Sequence, residues 1–202
     1  MIKAVLFDFG GVLTEAGKKG FILHIVARLL GMPPDEVDIG DLHYMMRRGK
    51  GSDEEFFGQI NRRYDAQLTK ELFLSNVKGF TKRSDIVYDL AERLRANGIK
   101  TGILSNVFGM SAHDLSDRGF YDNFDPVVLS CEEGYAKPDP EFYHIGIAKT
   151  GVKPHEILFI DDQDKCLPEA QKQGMHVIKA VSPEQIVADV TAYVQEHNHI
   201  AI

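Results

Sequence analysis

Five short apolar runs recur along the chain: "IKAVLFDF" at 2–9, "IKTGILSN" at 99–106, "DPVVLS" at 125–130, "EILFIDD" at 156–162 and "MHVIKA" at 175–180. Unbroken apolar runs of this length belong to strands buried on both faces of a parallel sheet. Amphipathic stretches lie between them. In "SDIVYDLAERLRANG", Ser84 or Asp85 is a candidate N-cap, Ile86, Leu90 and Leu94 mark an apolar stripe, and Gly98 supplies the stop. This β-α-β-α alternation predicts an α/β fold with a doubly wound parallel sheet.

From Thr14 to Thr81 the rhythm changes, and no strand run occurs. "FILHIVARLLG", "DEVDIGDLHYMMRRG", "SDEEFFGQINRRYD" and "TKELFLSNVKGF" each show helical spacing and capping signals, so residues 14–81 read as a helical insert. The sequence therefore divides into a core, residues 1–13 and 82–202, and a small all-helical cap, residues 14–81. Because the insert follows the first strand directly, it is expected over the carboxyl ends of the sheet, where open α/β folds bind their ligands.

Composition narrows the function. With 44% hydrophobic and 26% charged residues, 202 residues suffice for one buried core plus an embellishment. No apolar span approaches the ~18 residues of a membrane helix, and the N-terminus lacks a signal-peptide pattern, so the expected location is cytoplasmic. A net charge of −7 with scattered basic residues argues against nucleic acid as a partner. Cys131 and Cys166 have neither CxxC spacing nor a histidine partner, and read as reduced thiols.

The predicted strands end in polar residues. Asp8 closes the first, Ser105 and Asn106 the second, and Asp161 and Asp162 the fourth, while Lys137 lies in the loop "EEGYAKPDP" after the third. A parallel sheet brings these termini to one edge, gathering three carboxylates, a hydroxyl, an amide and an ammonium. Clustered carboxylates repel unless a hard cation sits among them, and Mg²⁺ suits one or two carboxylates plus a substrate phosphate. In "AKPDPEF" Asp139 is also a candidate N-cap, with Pro138 and Pro140 setting the turn.

"VLFDFGGVL", "GILSN", "KPDP" and "LFIDDQDKCLPEA" together resemble the four motifs of the haloacid dehalogenase-like hydrolases, in the same order. The insert resembles that superfamily's helical cap, and the "DFGGV" and "FIDD" forms are most similar to small bacterial phosphatases related to the N-terminal phosphatase domain of soluble epoxide hydrolases. The resemblance implies a Mg²⁺-dependent phosphatase acting on a small phosphorylated metabolite. It makes Asp8 the nucleophile, and Asp8, Asp162 and the Gly10 carbonyl metal ligands, with Asp161 a further ligand or a support. Ser105 and Asn106 would contact the phosphoryl group and Lys137 would supply fixed positive charge.

Gly10 departs from the family pattern. Phosphatases of this kind usually carry an aspartate two residues after the nucleophile, whose carbonyl binds the metal and whose side chain protonates the leaving group. Glycine keeps the carbonyl and loses the acid. Substrates with good leaving groups would suffer least, and Glu15, at the cap junction, is a candidate substitute. Cys166 stands where related sequences often have asparagine. Two rival readings follow from Gly10: a metal-independent 2-haloacid dehalogenase, whose usual aromatic residue at this position is missing, and a catalytically silent phosphate-binding protein.

The remaining candidates read as structural. Arg47, Arg48 and Lys50 suit a solvated helix face, with selection of an anionic substrate as their other reading. His24, His43, His144 and His197 lack ligand spacing, and Met45, Met46, Phe56, Phe57 and Tyr64 suit the insert's own packing. The sequence leaves the oligomeric state open.

Overall fold

The computed structural model describes residues 1–14 and 21–201. The five apolar runs form strands β1 (Ala4–Phe7), β2 (Lys100–Ser105), β3 (Val127–Leu129), β4 (Ile157–Asp161) and β5 (His176–Lys179). All neighbours pair in parallel, in the order β3-β2-β1-β4-β5. The order reverses beside β1, and this is the switch point at which a crevice opens beyond the strand ends.

Side chains alternate across the sheet into two cores, as the pleat requires. Val5, Phe7, Ile103, Leu158 and Ile160 join one cluster with α5 (Asp85–Ala96), α6 (Gly109–Asp117) and α10 (Pro183–Asn198). Ala4, Leu6, Leu104, Ile157 and Phe159 face the other way, toward α8 (Pro140–Thr150) and α9 (Leu167–Lys172). A four-residue helix, α7 (Ser130–Glu133), follows β3 directly. On α5, Val87, Tyr88, Leu90, Ala91 and Leu94 are buried while Ile86 is 42% exposed. The expected stripe therefore runs through Val87 and Leu90, because packing against β2 and α10 sets the helix's rotation and propensity does not.

Between β1 and α5 the chain forms α1 (Phe21–Leu30), α2 (Leu42–Arg47), α3 (Asp53–Tyr64) and α4 (Lys70–Phe80). Ser52 and Thr69 accept hydrogen bonds from Glu55 N and Leu72 N, capping α3 and α4. "DEVDIGDLHYMMRRG" is not one helix. A 3₁₀ turn at Pro34–Glu36 and the positive φ of Gly40 leave only Leu42–Arg47 helical. Ile25, Phe56, Phe57, Ile60 and Phe73 form a core of their own, joined by Phe108 and Met110 from the start of α6. The chain re-enters the sheet region beside its point of departure: Thr14 bridges Gly10 on one side and Arg83 on the other.

Arg48 fixes the insert to the rest of the molecule. It is buried and makes a forked ion pair with Asp139 at 2.6 to 3.1 Å. Asp139 occupies the N-cap position of α8 without capping it, its carboxylate going instead to Arg48 and Ala136 N. Gly49, at a φ of +62°, lies so close to the Cys131 carbonyl that a Cβ would fall 2.1 Å from it.

Gly102 allows a close approach within the sheet, since a Cβ there would lie 2.7 Å from Pro126 O and 2.8 Å from Leu6 Cδ2. We expect Gly102→Ala to lower stability by about 1–3 kcal/mol through overpacking. Gly79→Ala, on α4 with nothing within 4 Å, should raise it by about 0.5–1 kcal/mol. Urea unfolding midpoints of the two variants test both signs.

Candidate active site

Strand register sets the floor of the crevice. Phe7 lies level with Ile160, so Asp8 and Asp161 leave neighbouring strands side by side, and Asp8 N donates to Ile160 O at 2.8 Å. Between these carboxylates sits the Lys137 ammonium, 3.0 Å from Asp8 Oδ1 and 2.6 Å from Asp161 Oδ2. All three residues are buried. Burial alone would push the Lys137 pKa down, but the Asp161 and Asp8 charges outweigh it and the net shift is upward. Lys137 is held as a fixed cation.

Asn106 positions that cation without touching its charge. Its Nδ2 donates to Lys137 O at 2.9 Å and its Oδ1 accepts from Lys137 N at 2.8 Å, clamping the backbone of the lysine to the end of β2. Asp161 is fully engaged as well, with Gln163 N donating to Oδ1 at 2.7 Å and Lys137 holding Oδ2. On Asp8, Oδ1 accepts from Phe9 N at 2.7 Å and from Lys137, while Oδ2 accepts no hydrogen bond among the described residues. Burial raises the Asp8 carboxyl to about 6, reinforced by Asp161 and opposed by Lys137.

Asp162 completes an acidic cluster. Asp8, Asp161 and Asp162 each offer an oxygen within 4.8 Å of the others. Asp162 Oδ1 is buried without a partner, and burial with the nearby Asp161 charge pushes its pKa up. An orphaned buried carboxylate oxygen beside two further carboxylates fits a hard divalent cation, since all the donors are oxygen. Gly11 makes room for it: at a φ of +77° its Cβ position lies 2.9 Å from Asp162 Cγ, so only glycine suits the turn and the approach together. Gly10 is different, because a Cβ there would meet nothing within 4 Å.

Above this floor lies a cavity of about 130 Å³, room for a molecule the size of a small metabolite. Its core wall includes Asp8, Gly10, Ser105, Asn106 and Asp162, and its other wall comes from the insert, with Phe21, Ile22, His43, Arg47 and Val77. Every residue singled out at the strand ends reaches this region, either lining the cavity or, for Lys137 and Asp161, lying under it. Glu15 lies outside the described residues. Cys166 is a buried free thiol, pushed up to about 12 chiefly by burial, and its carbonyl accepts the Tyr143 hydroxyl at 2.7 Å.

Three of the residues read as structural need correction. Arg48 is no solvated side chain but the buried partner of Asp139, and Arg47 lines the cavity, whereas Lys50 is exposed. His43 lines the cavity too, its ring 5.5 Å from that of Phe108. The available signal was the spacing of four between His43 and Arg47, which puts both on one face of α2.

Among known proteins, the chain is 31% identical over 211 residues to mouse (Mus musculus) acyl-CoA dehydrogenase family member 10, covering 99% of this chain and 20% of that protein. It thus spans about a fifth of that relative's length. It is 30% identical over 175 residues to the D-ribitol-5-phosphate phosphatase of Bacteroides thetaiotaomicron, covering 80% of this chain and 84% of that one. The fold is shared with a haloacid dehalogenase family enzyme of Bacteroides thetaiotaomicron, solved in complex with magnesium and inorganic phosphate. The TM-score is 0.75 at 21% identity, covering 90% of this chain and 96% of that one. No helix among the described residues is long and apolar enough to cross a membrane. A family model for haloacid dehalogenase-like hydrolases matches residues 2–172, and on that match the chain belongs to this enzyme family.

Proposed function

We propose that the chain is a Mg²⁺-dependent phosphoric monoester hydrolase that acts on a small phosphorylated metabolite through a phosphorylated Asp8. The observation that carries this reading is the buried ammonium of Lys137 held between Asp8 and Asp161, beside an Asp162 oxygen that lacks a partner. The D-ribitol-5-phosphate phosphatase among the relatives supports the reaction class, and the magnesium and phosphate complex of the shared fold supports the cation.

Each residue has a task that its surroundings permit. Asp8 Oδ2, which accepts no hydrogen bond among the described residues, forms the bond to phosphorus while the ester oxygen leaves with its bonding pair. Water then attacks phosphorus, the bond to Asp8 breaks, and inorganic phosphate and the carboxylate are released. Lys137 offsets the charge of Asp8 and the incoming phosphate, and Asp161 keeps that ammonium in place. Ser105, buried at the end of β2, lines the cavity and donates to the phosphoryl group. Asn106 acts by fixing Lys137. Asp8, Asp162 and the Gly10 carbonyl would hold Mg²⁺, which when bound supplies positive charge to the phosphoryl oxygens.

No side chain at position 10 protonates the leaving group, so this site favours esters whose leaving oxygen is stable as an anion. Chelation of divalent ions and Asp8→Asn should each abolish release of phosphate from an aryl phosphate. Turnover that survives both would overturn the reading in favour of metal-free chemistry, and a wild-type chain inert toward aryl and acyl phosphates alike would favour a silent binder. Because the space beside Gly10 is open, Gly10→Asp should fold normally and raise alkyl phosphate hydrolysis by about 10²-fold or more, measured as kcat/KM. Gly11→Ala should act on the metal instead: by displacing Asp162 it should raise the Mg²⁺ concentration for half-maximal activity by about 10- to 100-fold.

A further inference from the structure

Two adjacent arginines of the insert are used in opposite ways. Arg48 is spent on the core, paired with Asp139 two residues beyond Lys137. That pairing holds the end of α2 against the crevice, and Arg47, the residue before, lines the cavity. Among the described residues Arg47 makes no ion pair or hydrogen bond, although it is half-buried. Burial works against its charge and so does neighbouring Arg48, with Asp8 and then Cys166 acting in its favour. A guanidinium drawn partly out of water, with no ion pair among the described residues, suits an anionic group on a ligand.

Among the described residues, the insert's wall of the cavity is otherwise uncharged at neutral pH. Phe21, Ile22 and Val77 are apolar, and burial with the neighbouring Arg47 lowers His43 to about 4, so its ring is neutral. A second unmet demand opens on the same space: the Ser111 hydroxyl, 5% exposed, has no hydrogen-bond partner. Phosphorus must sit within bonding reach of Asp8, where Lys137 and Ser105 already serve its oxygens. Arg47, on the facing wall, meets the half of the substrate that leaves.

We propose that Arg47 is a specificity-determining residue that binds a carboxylate on the leaving half of the substrate, so that small phosphorylated carboxylic acids are preferred over neutral polyol phosphates. This inference rests on the phosphatase reading above for the position of the phosphoryl group. A carboxylate suits the guanidinium because the planar fork takes both its oxygens.

The test uses binding, so that it stands apart from turnover. Isothermal titration of the Asp8→Asn chain in Mg²⁺ compares 2-phosphoglycolate with 2-hydroxyethyl phosphate, which has a neutral hydroxymethyl group in place of the carboxylate. We expect phosphoglycolate to bind about tenfold or more tightly, the scale of one hydrogen-bonded charge pair. Adding Arg47→Ala should bring the ratio of affinities to about one, and Arg47→Lys, which keeps the charge and loses the fork, should give an intermediate ratio. Absence of any preference, or equal weakening of both ligands by Arg47→Ala with the ratio retained, would overturn the proposal, the latter by placing Arg47 on the phosphoryl group. Binding of neither ligand would overturn it as well. A retained preference, with a wild-type chain inert toward aryl and acyl phosphates, would overturn the phosphatase reading and leave the carboxylate site standing.

Discussion

The ammonium of Lys137 is the charge on which the rest of the crevice depends. An ion buried this completely costs several kcal/mol unless opposite charges and hydrogen bonds replace the water it has lost. Here Asp8 and Asp161 do so from adjacent strands. The dependence runs both ways, because two carboxylates at neighbouring strand ends would otherwise repel in a medium that screens poorly. The arrangement is thus a single electrostatic unit built from β1, β4 and the loop before α8, and Asn106 adds β2 by holding the lysine backbone at both its N–H and its carbonyl.

A second ion pair does for the insert what this one does for the floor. Arg48 and Asp139 join α2 to the segment that carries Lys137, and the contact of Gly49 with the Cys131 carbonyl brings the two surfaces close. The insert's wall of the cavity is therefore referenced to the same loop as the Lys137 ammonium. Apolar packing supports this without determining it: Phe108 and Met110, at the start of α6, belong to the helical insert's core although they follow β2.

Much of this was legible in the sequence because a parallel sheet converts order along the chain into position in space. Unbroken apolar runs marked the strands, and the residue after each run marked the edge, so Asp8, Ser105, Asp161 and Asp162 could be placed together without coordinates. Gly10 could be read as the loss of an acid, yet the empty space beside it is a property of the fold. What stayed illegible depended on helix rotation. Ile86 looks like part of an apolar stripe and is exposed, while Arg47 and Arg48, adjacent and alike, lie one at the cavity and the other in an ion pair. Helical periodicity shows which residues share a face, and only tertiary packing decides what that face meets. The break at Gly40 was hidden for a related reason, since its positive φ interrupts a run whose composition still suits a helix.

The pairing of Phe7 with Ile160 has a consequence for how this chain can change over evolutionary time. Side chains on a strand alternate faces, so one residue inserted or deleted within β1 or β4 would turn a carboxylate away from Lys137 and leave the ammonium with half its neutralisation. Loops on the far edge of the sheet carry no such restriction. Variation in length should therefore accumulate at the amino ends of the strands and within the insert, while the spacing from each apolar run to its terminal aspartate stays invariant, a fixed count that keeps the ledger of charge intact.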